Sequence, residues 1–549
     1  MKRLQISTAA VLAVLLLCHA PAISQQLPVI QSPQFKKDSF NIIQYGAKAD
    51  GVTLNTAGIN AAIDACNKKG GGVVVVPAGL WLTGPIVLKS NVNLHLQRNA
   101  LLQFTADFNQ YPLTEGNWEG LPAVRNQSPL SANGADNIGI TGYGIIDGNG
   151  DAWRMVKKDK LTESQWKSLV ASGGVLSDDK KTWYPSVKSF KGSQTTGAGV
   201  LKDGKTAKDF DDIKDFLRPN LLVFTKCKKV LLEGVTFQNS PAWCIHPLMC
   251  EDLTVRNVNV KNPWYAQNGD GIDVESCKNV LLENSVFDVG DDGICIKSGR
   301  DEEGRKRNMP TENMIVRQCV VYHAHGGFVI GSEMSGGARN LYVYDCTFIG
   351  TDIGLRFKTT RGRGGIVEKI YIKNISMKDI VGEAILFDMY YAAKDPIPLA
   401  GEKREPPKVE TLPVTAATPQ FRDFHINNVV CNGAGKAVFF RGLPEMNVKD
   451  IYLEDMVMTA REGIDCTEAS GIHFNNIRLL TNAGNPVANF HNSNNITINK
   501  FFYTADVALL FNVSGEKSNG ISITNTDASK AKDKLRFEFG ANAKAAEIK

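Results

Sequence analysis

The sequence predicts an all-β protein, a right-handed single-stranded parallel β-helix with a short capping helix at its N-terminal end. Three observations predict it. An apolar-x-apolar-x-x-apolar-x-apolar pattern recurs through most of the chain, mostly at steps of about 20–30 residues, the length of one solenoid coil. Each copy is two alternating runs joined by a one-residue phase slip, as two strands meeting at a corner require. The slots hold β-branched and aromatic residues, which favour strands over helices. One coil cannot bury its own apolar face, so the copies must stack to make a core. Handedness follows from the general crossover rule.

The elements follow in chain order. Lys2 and Arg3 precede an apolar run over residues 9–17, and Ala22 and Ser24 offer a small-x-small cleavage site. Residues 1–24 are therefore read as a signal peptide, and the run is too short for a permanent membrane span. Lipoprotein processing at Cys18 ranks second, because Leu17 before it is large for that route. The mature chain, residues 25–549, is expected to be one exported domain, periplasmic or secreted, and a monomer. Residues 39–47 read as a first strand and turn. Asn55 or Thr56 caps a helix whose face is Ile59, Ala62, Ile63 and Cys66. Gly70, Gly71 and Gly72 end it, and Val73 to Val76 is expected to be a fully buried strand. This helix would cover the open end of the first coil. Cap and first coils occupy about residues 25–110.

An early copy of the repeat starts at Ile138. Over residues 154–217 the repeat disappears into a stretch rich in Lys, Asp, Ser and Gly. This is either a lid over a cleft or a mobile surface insertion, and composition favours the second. Copies resume at Val230 and Leu253, with a looser one at Val280 where Ser285 takes the third slot. They continue at Met314, Leu341, Ile370, Phe424, Ile451, Ile472 and Ile496. Cys227, Cys250 and Cys277 precede the first slot of successive coils, and Cys319 and Cys346 share an inner slot. They read as stacked buried thiols, with a bridge such as Cys250 to Cys277 left open in a compartment that permits disulfides.

Charge excludes some functions. The formal net charge is +5, two of it from the leader, and no basic run is interleaved with aromatics. Nucleic acid is therefore not the expected partner. No Cys/His spacing fits zinc, and no metal or cofactor is expected.

Four segments repeat one template and carry different charges: Gly271-Ile-Asp-Val-Glu-Ser, Gly293-Ile-Cys-Ile-Lys-Ser, Gly327-Phe-Val-Ile-Gly-Ser and Gly354-Leu-Arg-Phe-Lys-Thr. Aligned on the glycines, Asp270 falls over Asp292 and Asp291 over His325. Arg356 shares the column of Asp273, and Lys358 that of Glu275 and Lys297. Stacked coils lie about 4.8 Å apart, so these groups converge on one patch. Two carboxylates that close resist double ionisation. With a guanidinium and an ammonium beside them, they suit acid–base chemistry on an anionic substrate.

Asn268-Gly-Asp270, Gly290-Asp291-Asp292, His325-Gly326 and Arg356-Phe-Lys358 resemble the four signature segments of glycoside hydrolase family 28, the polygalacturonases and their relatives. Asn239-Ser-Pro-Ala-Trp243 and Ile145-Ile-Asp-Gly-Asn-Gly150 resemble family segments too. The likeness covers roughly residues 40–388. Gly269 and Phe357 depart from the common Thr and Ile, which touches subsite preference and not the chemistry. The resemblance implies hydrolysis of α-1,4-galacturonosidic bonds in pectic polysaccharide with inversion. It implies Asp291 as general acid, Asp270 and Asp292 as the pair that holds and deprotonates water, and His325 as the group that tunes Asp291. It also implies that Arg356 and Lys358 bind a galacturonate carboxylate. Inverting pairs usually stand about 6.5–9.5 Å apart, further than adjacent coils allow.

Asn268, His246, Lys297 and Trp264 are further substrate-contact candidates, with Asp273 and Glu275 in the same columns. Trp264 and Tyr265, just before Asp270, suit a sugar platform. His323 reads as structural. The basic loop of Arg300, Arg305, Lys306 and Arg307 reads as solvated surface or a cleft wall. The resemblance also points to bacterial exo-acting members, which share a Ser-Gly-Arg300 segment and enlarged loops. Exo action is therefore expected, with the long insertion walling one end. Rhamnogalacturonan and xylogalacturonan are alternative backbones. A β-helical lyase would want calcium held by clustered acids, whereas here cations accompany the acids. A glycan-binding β-helix without activity would not need the aspartates.

Overall fold

The computed structural model describes residues 27–202, 204–391, 409–482, 484–504 and 506–549. The leader read at residues 1–24, with Cys18, lies outside these. Three rows of parallel strands run the length of the chain. One row begins with Ser39–Asn41, Gly72–Val76, Val92–Leu96 and Asp136–Gly142. A second begins with Gly79–Thr83, Ala100–Phe104 and Ile145–Asp147. From Ala338–Ile349 onward these two rows merge into single bent strands. The third row holds 14 strands, from Ile86–Val87 to Ala531–Glu538, and is continuous enough to define one solenoid. The coils wind right-handed, as the crossover rule requires.

The repeat translates directly into packing. Val230, Leu232, Val235 and Phe237 are buried, as are Leu253, Val255, Val258 and Val260 one coil on. The phase slip is a residue in left-handed conformation at the corner: Gly234 (φ 79), Asn257 (φ 55), Asn284 (φ 51). Asn and Asp tolerate that region better than branched residues. Their side chains also bond between coils, as Asn374 Nδ2 does to Asp345 Oδ1 at 2.7 Å and Asn428 Nδ2 to Asn374 Oδ1 at 2.8 Å. Outside the same sheet Tyr342, Tyr371, His425, Tyr452 and His473 stack ring on ring at 5.3, 5.2, 4.7 and 4.6 Å. The ten cysteines of the described residues are buried and unbridged. Cys250 N donates to Cys277 Sγ at 3.3 Å, so the column is a stack of thiols.

Several expectations change. The helix Thr56–Lys68 buries Ile59, Ala62, Ile63 and Cys66, but no side chain caps it. Asn55 turns instead to the Lys48 amide at 2.7 Å and to the carbonyls of Lys48, Thr53 and Leu82. The strand Gly72–Val76 is half-buried in alternation, with Val74 and Val76 inside, because the helix covers the end of the coil and not its outer face. The solenoid also continues past Ile496, through Val507–Ser514, Asn519–Thr524 and Ala546–Ile548. These last coils keep only half of the apolar pattern, as Ile521 and Ile523 show.

The insertion is folded. It carries the helices Glu163–Ala171 and Val187–Ser193 and a 3₁₀ run, Ala207–Phe216. Composition alone did not announce these elements. Phe210, Ile213 and Leu217 close a small core of their own with Val124. Val124 belongs to an antiparallel hairpin, Leu113–Trp118 with Leu121–Asn126, which the repeat did not announce. Val124 N donates to Gly199 O at 2.7 Å, and Leu201 N to Pro122 O at 3.0 Å, so hairpin and insertion form one wall.

Candidate active site

The third strand row carries the site. Its strands Ile272–Glu275, Asp292–Lys297, Gly326–Ile330 and Ile353–Lys358 pair Asp273 with Cys295, Cys295 with Val329 and Val329 with Arg356. Glu275 pairs with Lys297. These are the columns the glycine alignment predicts. Period-2 alternation fixes them, since a one-residue slip would turn every side chain to the other face.

Oxygens of Asp270, Asp291 and Asp292 all lie within 4.8 Å of one another. Asp270 and Asp292 are buried, whereas the Asp291 side chain keeps 24% of its surface open. The three carboxyls are therefore inequivalent. Burial pushes the Asp270 carboxyl well above the usual carboxylate range, and nearby Asp273 and Asp291 push it further. Its Oδ1 meets no hydrogen-bond partner. Burial would also raise Asp292, but Lys358 and Arg356 outweigh it and hold this carboxyl well below the usual range. Lys358 Nζ donates to Asp292 Oδ2 at 2.7 Å and Arg356 Nη1 to Oδ1 at 3.2 Å. Asp291 Oδ1 lies 3.2 Å from His325 Nδ1. That contact raises the imidazole above its ordinary value, while burial works against it.

A second layer of charge lies beneath. Lys297 Nζ donates to Glu333 Oε2 at 2.9 Å and stands 3.6 Å from Asp273 Oδ1 and 4.7 Å over the Trp243 ring. Burial would raise Glu333, but Lys297 and Arg363 bring it down to about 2. Glu275 accepts from Arg307 Nη1 at 2.6 Å and lies 2.8 Å from His246 Nε2. The other ring nitrogen of His246 lies 3.2 Å from Asn220 Nδ2. The structure thus sets His246, Lys297, Asp273 and Glu275 in the floor under the cleft, each buried and each facing a charged neighbour. His246 Nε2 and Lys297 Nζ are engaged by Glu275 and Glu333.

Trp264 stands at the rim, 59% exposed, with Lys160 of the insertion 4.8 Å over its ring. Asn268 Oδ1 accepts from Arg218 Nη2 at 2.9 Å. The basic loop divides. Arg305 bonds the carbonyls of Gly362 and Arg363, Lys306 is exposed and pairs with Glu302 at 3.0 Å, and Arg307 serves Glu275. Arg300 N donates to Gly120 O of the hairpin at 3.3 Å. His323 is exposed, 3.0 Å from Asp288.

Beside Asn268, two residues before Asp270, hairpin and insertion wall a half-open cavity of about 690 Å³ lined by Trp118, Arg125, Phe216, Arg218, Asn268 and Arg300. Trp118 stacks on Trp243 at 5.7 Å, and Arg125 lies 3.5 Å over its ring. Sequence reasoning missed Glu333, Arg363, Arg125 and Trp118. They sit in turns and in the hairpin, off the repeat. The basic residues at 125 and 218, on the two flanks of the insertion, were the available signal.

A parallel β-helix with three clustered aspartates, a histidine and two cations on one face has the makeup of a glycoside hydrolase. The comparisons with known proteins narrow this. Residues 177–404 match the family described as "Glycosyl hydrolases family 28", and residues 39–162 match "Rhamnogalacturonase A/epimerase, pectate lyase-like". A solved hyperthermoactive exopolygalacturonase from Thermotoga maritima is 30% identical, with a TM-score of 0.62, over 82% of this chain and 93% of that one. An exo-poly-alpha-D-galacturonosidase from Dickeya chrysanthemi is 28% identical over 83% of this chain and 74% of its own. A Vitis vinifera protein named "Probable polygalacturonase" is 29% identical over 62% of this chain, which spans 61% of its length. The chain belongs to glycosyl hydrolase family 28.

Proposed function

We propose that this protein hydrolyses α-1,4-galacturonosidic bonds of polygalacturonate from a chain end and releases galacturonate. The observation that carries the reading is the half-open cavity that hairpin and insertion wall beside Asn268, two residues before Asp270. A cleft open at both ends would accept a polymer along its length, whereas a walled one takes an end. The exo-acting relatives from Dickeya chrysanthemi and Thermotoga maritima support it. Cations stand on both sides of the aspartates, Arg356 and Lys358 on one and the arginine-lined cavity on the other. That favours an acidic sugar on each side of the bond over a backbone alternating with neutral rhamnose. No described helix is long and apolar enough to cross a membrane. The leader read at residues 1–24 supports export.

In this reading Asp291, the most open of the three carboxyls, protonates the leaving oxygen, with His325 holding its orientation. Asp292 is ionised and receives a proton from the attacking water, which Asp270 helps to hold. Both Asp292 oxygens are engaged by Arg356 and Lys358. Both oxygens being engaged, Asp292 is held back from attacking the anomeric carbon, which favours direct attack by water and inversion even though the carboxyls stand closer than the about 6.5–9.5 Å usual for inverting pairs. In the complex the two cations also reach the carboxylate of the sugar beyond the bond. Proton NMR of early digestion tests this. Galacturonate monomer should appear first, as the β-anomer, with almost no fall in viscosity. A ladder of oligomers would overturn exo action, and an α-anomer would overturn inversion.

A further inference from the structure

The cavity beside the aspartates has a charge that its own residues do not balance. Arg125, Lys202, Lys205, Arg218 and Arg300 line it, against one acid, Glu119. Arg218 is spent on the carbonyls of Pro241 and Gln267 and on Asn268 Oδ1. Arg300 stands 3.3 Å from Glu119 and 3.5 Å from Asp301. Arg125 is different. Its guanidinium lies 3.5 Å over the Trp118 ring, its Nε is enclosed without a hydrogen-bond partner, and among the described residues no carboxylate pairs with it. A guanidinium cannot shed its charge in a protein, and an enclosed donor without an acceptor is costly. The planar fork is built to take a carboxylate through two parallel hydrogen bonds. Trp118, held from behind by Trp243 at 5.7 Å, fixes the plane of that fork. Asn268, two residues before Asp270, also lines the cavity, which places it near the aspartates.

We propose that Arg125 binds the carboxylate of the sugar at the non-reducing end of the chain, and so makes the enzyme select an acidic terminal residue. The inference rests on the exo reading above and adds a second anion site, separate from Arg356 and Lys358. It also assigns the hairpin a chemical task beyond closing the cleft.

The test compares trigalacturonate with a trisaccharide whose non-reducing sugar is galactose, the other two sugars remaining galacturonate. Wild-type protein should prefer the acid about 100-fold in kcat/KM, the scale of a charge-assisted pair. Arg125→Gln should lower kcat/KM for trigalacturonate by about 100-fold, chiefly through KM, and leave the galactose-ended substrate within about threefold. Arg125→Lys should restore part of the preference. If Arg125→Gln slows both substrates alike and the preference persists, the residue only holds the wall and the inference fails. It fails equally if wild type cleaves both substrates at one rate. If wild type does not cleave trigalacturonate at all, the functional reading itself falls.

Discussion

Asp291 and Asp292 are neighbours in sequence, but alternation points them to different surroundings. Asp292 faces Lys358 and Arg356 and is held ionised; Asp291 opens to the cleft beside His325. Replacing Asp291 by Asn keeps the shape and removes the proton donor. Turnover on polygalacturonate should fall by about 10²–10⁴-fold with an unchanged circular dichroism spectrum, and wild-type turnover would remove Asp291 from the acid role. Lys358→Met reads the other carboxylate. The depressed pKa of Asp292 means that its ion pairs act above the ordinary aspartate value of about 3.9 and are lost as pH falls through the lower folded value. Without Lys358 that folded value rises. The acidic limb of kcat/KM against pH should therefore move to higher pH in Lys358→Met. The columns holding these residues were legible in the sequence, because four glycine-led segments share one register. Their ionisation was not, since it depends on burial and on which cation reaches which oxygen.

Among the elements, the hairpin supplies Trp118, Glu119, Leu121 and Arg125 to the cavity wall. Its turn packs against the backbone of the Arg300 segment, and a side chain added at Gly120 would strike the Arg300 amide at 2.6 Å. Gly120 also has φ 79, so the close approach and the turn both require glycine. Replacing residues 116–121 by two glycines should open the cavity to the bulk while leaving the aspartates in place. Digestion of long polygalacturonate would then show an early viscosity drop and intermediate oligomers. If monomer release without a viscosity drop persists, the wall lies elsewhere. The repeat announced neither this hairpin nor the folded core of the insertion. Both are antiparallel or helical excursions stabilised by contacts with each other, such as Val124 against Phe210 and Leu217, and not by the coil period.

The whole molecule is a stack in which each coil chiefly touches its neighbours, so its weak points are its ends. The helix Thr56–Lys68 covers the first coils with Ile59, Ile63 and Cys66 fully buried. Ile63→Ala leaves a cavity there, worth about 2–5 kcal/mol. The first step of urea unfolding should come at lower denaturant, with turnover of the folded protein unchanged, since the aspartates lie several coils away. A loss of turnover in proportion to the loss of stability would show that end and site unfold as one unit.

The sequence by itself determined the solenoid, its corners and the convergence of Asp270, Asp291, Asp292, His325, Arg356 and Lys358. A strict period of two along strands, repeated coil after coil, leaves one register that buries the apolar slots. Tertiary structure alone decided three things. It pushed the Asp270 carboxyl up and held that of Asp292 down, because desolvation and ion pairing act through space. It sank His246 and Lys297 beneath the cleft floor, where Glu275 and Glu333 hold them. It brought Arg125 into a cavity with Asn268 and Arg218, because a hairpin outside the repeat is positioned by the insertion it packs on and not by any spacing along the chain.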